Sequence, residues 1–260
     1  DLNHTAVTDA GLKELAHLTA LQTLNLSTTK VTDAGLKEVA ELKGLRALKL
    51  ENCQVTDASL KELAPLKGLR MLDLNRCITV SDAGLKEVAE LKGLEVLGLS
   101  YCFQVTDAGL KELAVLKRLQ TLEVAGAAKV TDAGLKELAG LKDLKTLDLT
   151  MTRVTDAGLK ELAGMKGLEV LGLSYCQVTD GGLKELAALM ALKELDLKFT
   201  KVTGAGLKEL ANLNGLQVLD LSYSGVTDAG LKELAALKGL KDLDLNHTAV
   251  TDAGLKELAH

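Results

Sequence analysis

Tryptophan is absent, aromatic residues make up 2% of the 260 residues, and the chain holds a single proline. An interior with so few rings must be filled by aliphatic side chains, which the 47% hydrophobic content supplies. No apolar run approaches the roughly 18 residues a membrane-crossing helix needs, so no membrane role is expected. No charged-then-apolar leader is visible, and Asp1 already stands inside a repeat. Four cysteines are too few for a disulfide scaffold at this length. Unpaired thiols without a leader point to the cytoplasm. The only histidines, His4, His17, His247 and His260, all lie in a duplicated terminal segment, so no Ser-His-Asp or Cys-His device can be assembled from them. There is no glycine-rich phosphate loop and no zinc-ligand spacing. The expectation is therefore no enzyme activity, no cofactor and no metal. A net charge of −5 argues against a nucleic-acid partner, which would want a basic face. Asn3, Asn25 and Asn246 each open an Asn-x-Ser/Thr triplet, a pattern too common by chance to indicate secretion.

What is present is repetition. The tripeptide Leu-Lys-Glu recurs eleven times in register, from Leu12 to Glu257, within ten near-copies of a 24–25 residue unit and a partial eleventh. A fixed period of this size implies a solenoid in which each unit buries its apolar face only against its neighbours. Residues 1–260 are accordingly read as one elongated repeat domain. Each unit carries two periodicities. Leu21-x-x-Leu24-x-Leu26 ends in the alternation of a strand with one buried face. Leu36, Val39 and Ala40 then recur at helical spacing, with Thr32 or Asp33 placed to cap the helix and Lys37 and Glu38 on its solvent side. Pro65 falls where a helix ends. Strand, turn, short helix and turn give a parallel sheet on one side of the coil and helices on the other. Strands stack about 4.8 Å apart and helices about 8–10 Å apart, so the coil is expected to bend by roughly 20–30° per repeat with the sheet inside. The fold expected is an α/β horseshoe with a concave parallel sheet and short convex helices.

The pattern Leu-x-x-Leu-x-Leu-x-x-(Cys/Thr)-x-x-Val-Thr-Asp-x-Gly-Leu resembles that of leucine-rich repeat proteins over the entire chain. Leu97-Gly98-Leu99-Ser100-Tyr101-Cys102, followed by Val105-Thr106-Asp107-Ala108-Gly109-Leu110, resembles the cysteine-containing, ribonuclease-inhibitor-like subclass, found in F-box substrate receptors and many bacterial repeat proteins. That resemblance implies protein–protein recognition on the concave sheet. No F-box-like helical segment accompanies it, so a ubiquitin-ligase role is not carried over.

Because the units are so alike, positions that vary in register carry the functional information. The central strand column contains Asp73, Glu123, Asp148, Asp196, Asp220 and Asp244 against one base, Lys49. Two readings stand: a basic partner compensates this charge, or the acids are a repeat template solvated by water. The column just past the strand holds Tyr101, Tyr175, Phe199 and Tyr223, four of the five aromatics, with Tyr175, Phe199 and Tyr223 on adjacent units. Aromatic anchors beside carboxylates suit a peptide carrying Lys or Arg, and packing over the turn explains the same rings equally well. Cys53, Cys77, Cys102 and Cys176 share a column with Thr29, Thr152, Thr200, Ser224 and Thr248, which reads as small side chains packed under the turn. One-residue insertions near Ile78, Phe103 and Ala128 lengthen three units to 25 residues and are expected to bulge at one edge. Gly11, Gly35 and their equivalents read as turn or packing sites.

Residues 1–17 and 244–260 are identical, and neither end carries a polar cap, so homo-oligomerisation through the ends is an expected partner mode beside a protein or basic peptide. Two classes of function remain: a non-enzymatic scaffold that binds protein or peptide on an acidic, aromatic-striped concave face, and an engineered or self-assembling structural scaffold without a small ligand.

Overall fold

The computed structural model describes residues 1–258; His260 and the close of the duplicated segment lie outside the described residues. The chain divides into two compact units, Asp1–Lys129 and Val130 onward. In the first, β1 (Thr23–Asn25), β2 (Ala47–Lys49), β3 (Met71–Asp73), β4 (Val96–Gly98) and β5 (Thr121–Glu123) pair in parallel in sequence order. In the second, β6 (Thr146–Asp148), β7 (Val170–Gly172), β8 (Glu194–Asp196), β9 (Val218–Asp220) and β10 (Asp242–Asp244) do the same. The register sets each central leucine against the next, Leu24 on Leu48 and Leu195 on Leu219. Leucine columns such as Leu48, Leu72, Leu97 and Leu122 are fully buried, and they form the aliphatic core that the shortage of rings demanded. Each unit is thus a solenoid of strand, turn, short helix and turn.

Every strand ends the same way. Three residues beyond it the chain enters the left-handed region, at Thr28, Asn52, Arg76 and Tyr101 in the first unit and at Met151, Tyr175, Phe199, Tyr223 and His247 in the second, all with φ between 54° and 61°. Gly126 fills the same position at φ 75°. Non-glycine residues in this region cost roughly 1–2 kcal/mol each, so the turn is imposed by the stack on side chains that would avoid it.

The helices start where the sequence places their caps. Thr32 has extended backbone and its Oγ1 accepts from the Ala34 N–H, and Ser81, Thr106 and Thr155 do the same. The aspartate that follows each cap reaches forward instead. Asp156 Oδ1 accepts from the Thr179 N–H at 2.8 Å and its Oδ2 from the Thr179 hydroxyl at 2.6 Å, one turn of the solenoid away. The same pair of bonds joins Asp9 to Thr32, Asp33 to Thr56, Asp57 to Ser81, Asp82 to Thr106, Asp132 to Thr155, Asp180 to Thr203 and Asp228 to Thr251. This ladder explains the helix glycines. A Cβ on Gly182 would overlap Asp156 Oδ1 and lie 3.0 Å from its Cγ; Gly84 meets Asp57 and Gly158 meets Asp132 in the same way. These glycines therefore answer a packing demand and none of them sits at a positive φ.

One rung is missing. Gly204 stands where the other units carry aspartate, and Thr227, the residue it would serve, caps its helix without a side-chain bond. The local helix becomes a 3-10 turn over Leu207–Leu210, and the Gly204 backbone closes onto Gly230. Between Thr203, Gly204, Thr227 and Gly230 this leaves a shallow notch.

Candidate binding surface

The strand face that carries the acids differs between the two units. In the first, Asp73 Oδ1 accepts from the Asn75 N–H at 3.0 Å, an Asx turn that closes the strand end. The Asn75 amide then accepts from the Ser100 N–H at 2.7 Å and donates to Glu123 Oε2 at 3.2 Å, two strands away. It can do so because Gly98 lies between: a Cβ there would be 2.9 Å from the Asn75 amide. Asp73 and Glu123 are thus joined in one polar network, and sequence reasoning missed Asn75 as its centre.

In the second unit the acids line up. Asp196 is set against Asp220 and Asp220 against Asp244 by strand register. Each spends one oxygen on a backbone N–H two residues ahead: Asp148 on Thr150, Asp196 on Lys198, Asp220 on Ser222 and Asp244 on Asn246, at 2.8–2.9 Å. The aspartates at these strand ends therefore have a local reason to exist, which offsets their poor strand propensity. The second oxygen of Asp196 accepts from the Ser174 hydroxyl at 2.5 Å, while Asp148 leans over Gly172. With Glu194 and Asp242, the three strand-face columns of this unit hold six acids against one base, Lys198.

The aromatic column also separates. Tyr101 in the first unit is clamped between the Arg76 guanidinium, 5.3 Å from its centroid, and Gly126, where an added Cβ would come 2.7 Å from Cδ1. In the second unit Tyr175, Phe199, Tyr223 and His247 form one stack, with centroids 4.1–4.3 Å apart and planes within 20°. His247 extends the strip beyond the three rings expected; its place in the same column was the available signal. Tyr175 remains 49% exposed, Phe199 37% and Tyr223 38%. With their faces turned to one another, the inner rings present edges to solvent. Lys198 sits 5.9 Å from the Phe199 centroid and 5.6 Å from that of Tyr223, beside the stack.

The cysteines sit beneath this surface. Cys53, Cys77, Cys102 and Cys176 are buried and unpaired, and each thiol donates to a carbonyl of the preceding repeat, at 3.1–3.2 Å. Burial pushes the Cys102 thiol up to about 12 and raises those of Cys77 and Cys176 as well. Thr29, Thr152 and Thr200 fill the same column by bonding the carbonyl three residues back in their own turn. Among the described residues no cluster of three or more His, Cys, Asp or Glu could hold a metal ion, and no helix is long and apolar enough to cross a membrane.

A family model described as leucine-rich repeat matches residues 17–40, 141–163, 168–187, 189–211, 214–235 and 240–259, together just over half of the chain. Among solved structures, a leucine-rich repeat protein of Leptospira interrogans is 28% identical at a TM-score of 0.65, over 95% of this chain and 66% of that one. An internalin of Listeria monocytogenes shares the fold at 23% identity and a TM-score of 0.62, over 90% and 76% of the two chains. The plant peptide hormone receptor RGFR1, solved in complex with RGF2, is 17% identical at a TM-score of 0.54; this chain is covered over 99% and spans about half of the receptor, 49%. Among curated proteins none matches. The repeat geometry and the family match agree, and the chain belongs to the leucine-rich repeat family.

Proposed function

We propose that the protein is a non-enzymatic scaffold that binds a protein or peptide, and that the strand face of the second unit receives a basic segment. The observation that carries this reading is a half-exposed four-ring stack beside carboxylates on three consecutive strands, Asp196, Asp220 and Asp244. The stack offers a rigid apolar ledge whose ordering cost is met within the fold, and a Lys or Arg of the partner pairs with the carboxylates next to it. Asp148 extends the acidic row; in the first unit Asp73 and Glu123 are tied into the Asn75 network and Tyr101 lies under Arg76, so the basic segment is assigned to the second unit alone. A fold-level parallel is the plant peptide hormone receptor, solved in complex with RGF2. The identity of residues 1–17 with 244–260 favours a second reading, a structural or self-assembling scaffold.

Fluorescence anisotropy with a labelled, end-capped peptide rich in Lys and Arg separates the two. Binding that weakens with salt, falls severalfold in Asp220→Asn and Tyr175→Ala, and leaves the melting temperature of Asp220→Asn unchanged supports the contact face. Binding indifferent to both substitutions removes it and leaves the structural reading.

A further inference from the structure

The first unit carries an apolar groove of opposite chemistry. Two of the 25-residue repeats carry their extra residue just past the strand, near Ile78 and Phe103, and both side chains stand out at the surface, 58% and 49% exposed. Adjacent repeats bring them together with Asn52, Arg76 and Tyr101 around a groove of about 390 Å³. Phe103 meets Tyr101 edge to face at 6.3 Å, so its own ring is oriented and not loose. Large apolar side chains on an exposed turn have no core to serve, and a rimmed patch of them marks a contact site.

Arg76 decides what the groove would accept. Tyr101 lies against Gly126 on one face and under the Arg76 guanidinium on the other, so the cation is held in place by a ring that cannot retreat. Its nearest counter-ion is Glu51, with Oε1 3.6 Å from Nε, beyond hydrogen-bond range. Arg46 and Arg70 in the same unit each donate through Nη1 to the carbonyls of Gly68 and Gly93, and Arg118 bonds Glu95. Among the described residues the Arg76 guanidinium makes no hydrogen bond, and 60% of its side chain is exposed. A planar fork fixed beside an apolar groove matches a carboxylate next to a large apolar side chain.

We propose that the groove lined by Asn52, Arg76, Ile78, Tyr101 and Phe103 is a second docking site, for an internal peptide segment in which a glutamate or aspartate side chain adjoins a large aliphatic or aromatic one. The apolar side chain packs between Ile78 and Phe103 while the carboxylate takes the Arg76 fork. This site is independent of the basic-peptide face of the second unit, and either can fail without the other.

Ile78 is the sole isoleucine of the chain, so the full-length protein labelled at isoleucine δ1 methyls gives one signal, inside the groove. The probe is an acetylated, amidated hexapeptide with glutamate and leucine at its centre and glycines elsewhere. The Ile78 methyl signal should shift saturably with this peptide and at least tenfold less tightly when glutamine replaces glutamate. Arg76→Gln should erase that preference, and Arg76→Lys, which keeps the charge but not the fork, should not restore it. Phe103→Ala should weaken both peptides alike. No shift up to millimolar peptide overturns the proposal. So does an equal response to glutamate and glutamine, a stronger response to a lysine peptide, or a response only to an uncapped peptide bearing a free C-terminal carboxylate.

Discussion

Gly182→Ala tests whether the aspartate ladder, and not a turn, keeps glycine in the helices. Gly182 is buried in the helix Asp180–Leu186 and has no positive φ. Helix propensity alone predicts a gain of about 1 kcal/mol from alanine. The new Cβ would overlap Asp156 Oδ1 and lie 3.0 Å from both its Cγ and Leu159 Cδ1. The leucine tip can give way; the carboxylate cannot without releasing the Thr179 N–H and hydroxyl. Hydrogen bonds to a charged partner are worth about 1.5–3 kcal/mol each when buried, and water takes over part of that at a half-buried site, so losing the pair costs about 2–3 kcal/mol. Subtracting the propensity gain leaves Gly182→Ala destabilised by about 1–2 kcal/mol. In an Asp156→Ala background the obstacle is gone, and the same substitution should stabilise by up to about 1 kcal/mol.

The double-mutant cycle should therefore show a coupling of about 2 kcal/mol, read as urea midpoints or as melting shifts of about 2–4 °C per kcal/mol. Exchange of the Thr179 amide should speed up in both single variants. Position 59 supplies an internal comparison. Ser59 already bears a Cβ there; its hydroxyl donates to the Thr56 carbonyl, and the helix keeps α geometry only over Asp57–Leu60 before turning 3-10. Gly182→Ser should accordingly be milder than Gly182→Ala. Additive costs in the cycle, or a stabilising Gly182→Ala, would refute the reasoning.

Three further outcomes follow from the same geometry. Asp33 is pushed up by partial burial but held below the usual carboxylate range by bonds from Thr56 and Ser59, and Asp228 is lowered chiefly by the Thr251 N–H and then its hydroxyl. Because their folded values lie below the unfolded value of about 3.9, the stability they contribute is complete above about pH 4–5 and is lost as pH falls through the folded values. The urea midpoint should drop between pH 5 and 3 and drop less in Asp33→Asn. The buried, raised thiols of Cys77, Cys102 and Cys176 should resist a thiol-specific disulfide reagent at pH 8 in the native protein and react on denaturation; fast native labelling would contradict their burial. Met151 is 46% exposed at φ 59°, so Met151→Gly should raise stability by about 0.5–1 kcal/mol in thermal melts through relief of strain, whereas Tyr223→Gly, which breaks the ring stack, should lower it.

The parallel strands, the helix caps and the buried leucine columns were legible in the sequence because each depends on local periodicity: Leu24 and Leu26 alternate, and Leu36, Val39 and Ala40 share a helical face. The Asp–Thr ladder was not, because its partners stand 23 or 24 residues apart and each residue has an innocent local explanation as a cap. Gly204 was the available clue, the one interior copy where glycine follows the cap threonine. The left-handed column was hidden by its occupants: Arg76, Met151 and Phe199 are not residues that announce positive φ, and only Asn52, Gly126 and His247 belong to types that favour it.

The candidate surface was legible as columns but not as chemistry. Column membership put Tyr175, Phe199 and Tyr223 side by side, yet whether their faces or edges meet a partner depends on ring orientation, which no spacing rule supplies. A strand repeat near 4.8 Å is slightly wider than the separation of stacked rings, so one ring per repeat at a fixed φ closes face to face unless a neighbour lacks a ring. Where Gly126 interrupts the column, Tyr101 lies over the glycine and takes Arg76 on its other face. The same backbone conformation therefore yields a closed stack in one unit and a clamped cation in the other, and the residue type at the next repeat decides which. That is the physical ground for proposing opposite charge preferences for the two units: the inner faces of the stack are spent, so the proposed cation contacts fall to Asp196, Asp220 and Asp244, while Arg76 is the proposed anion contact.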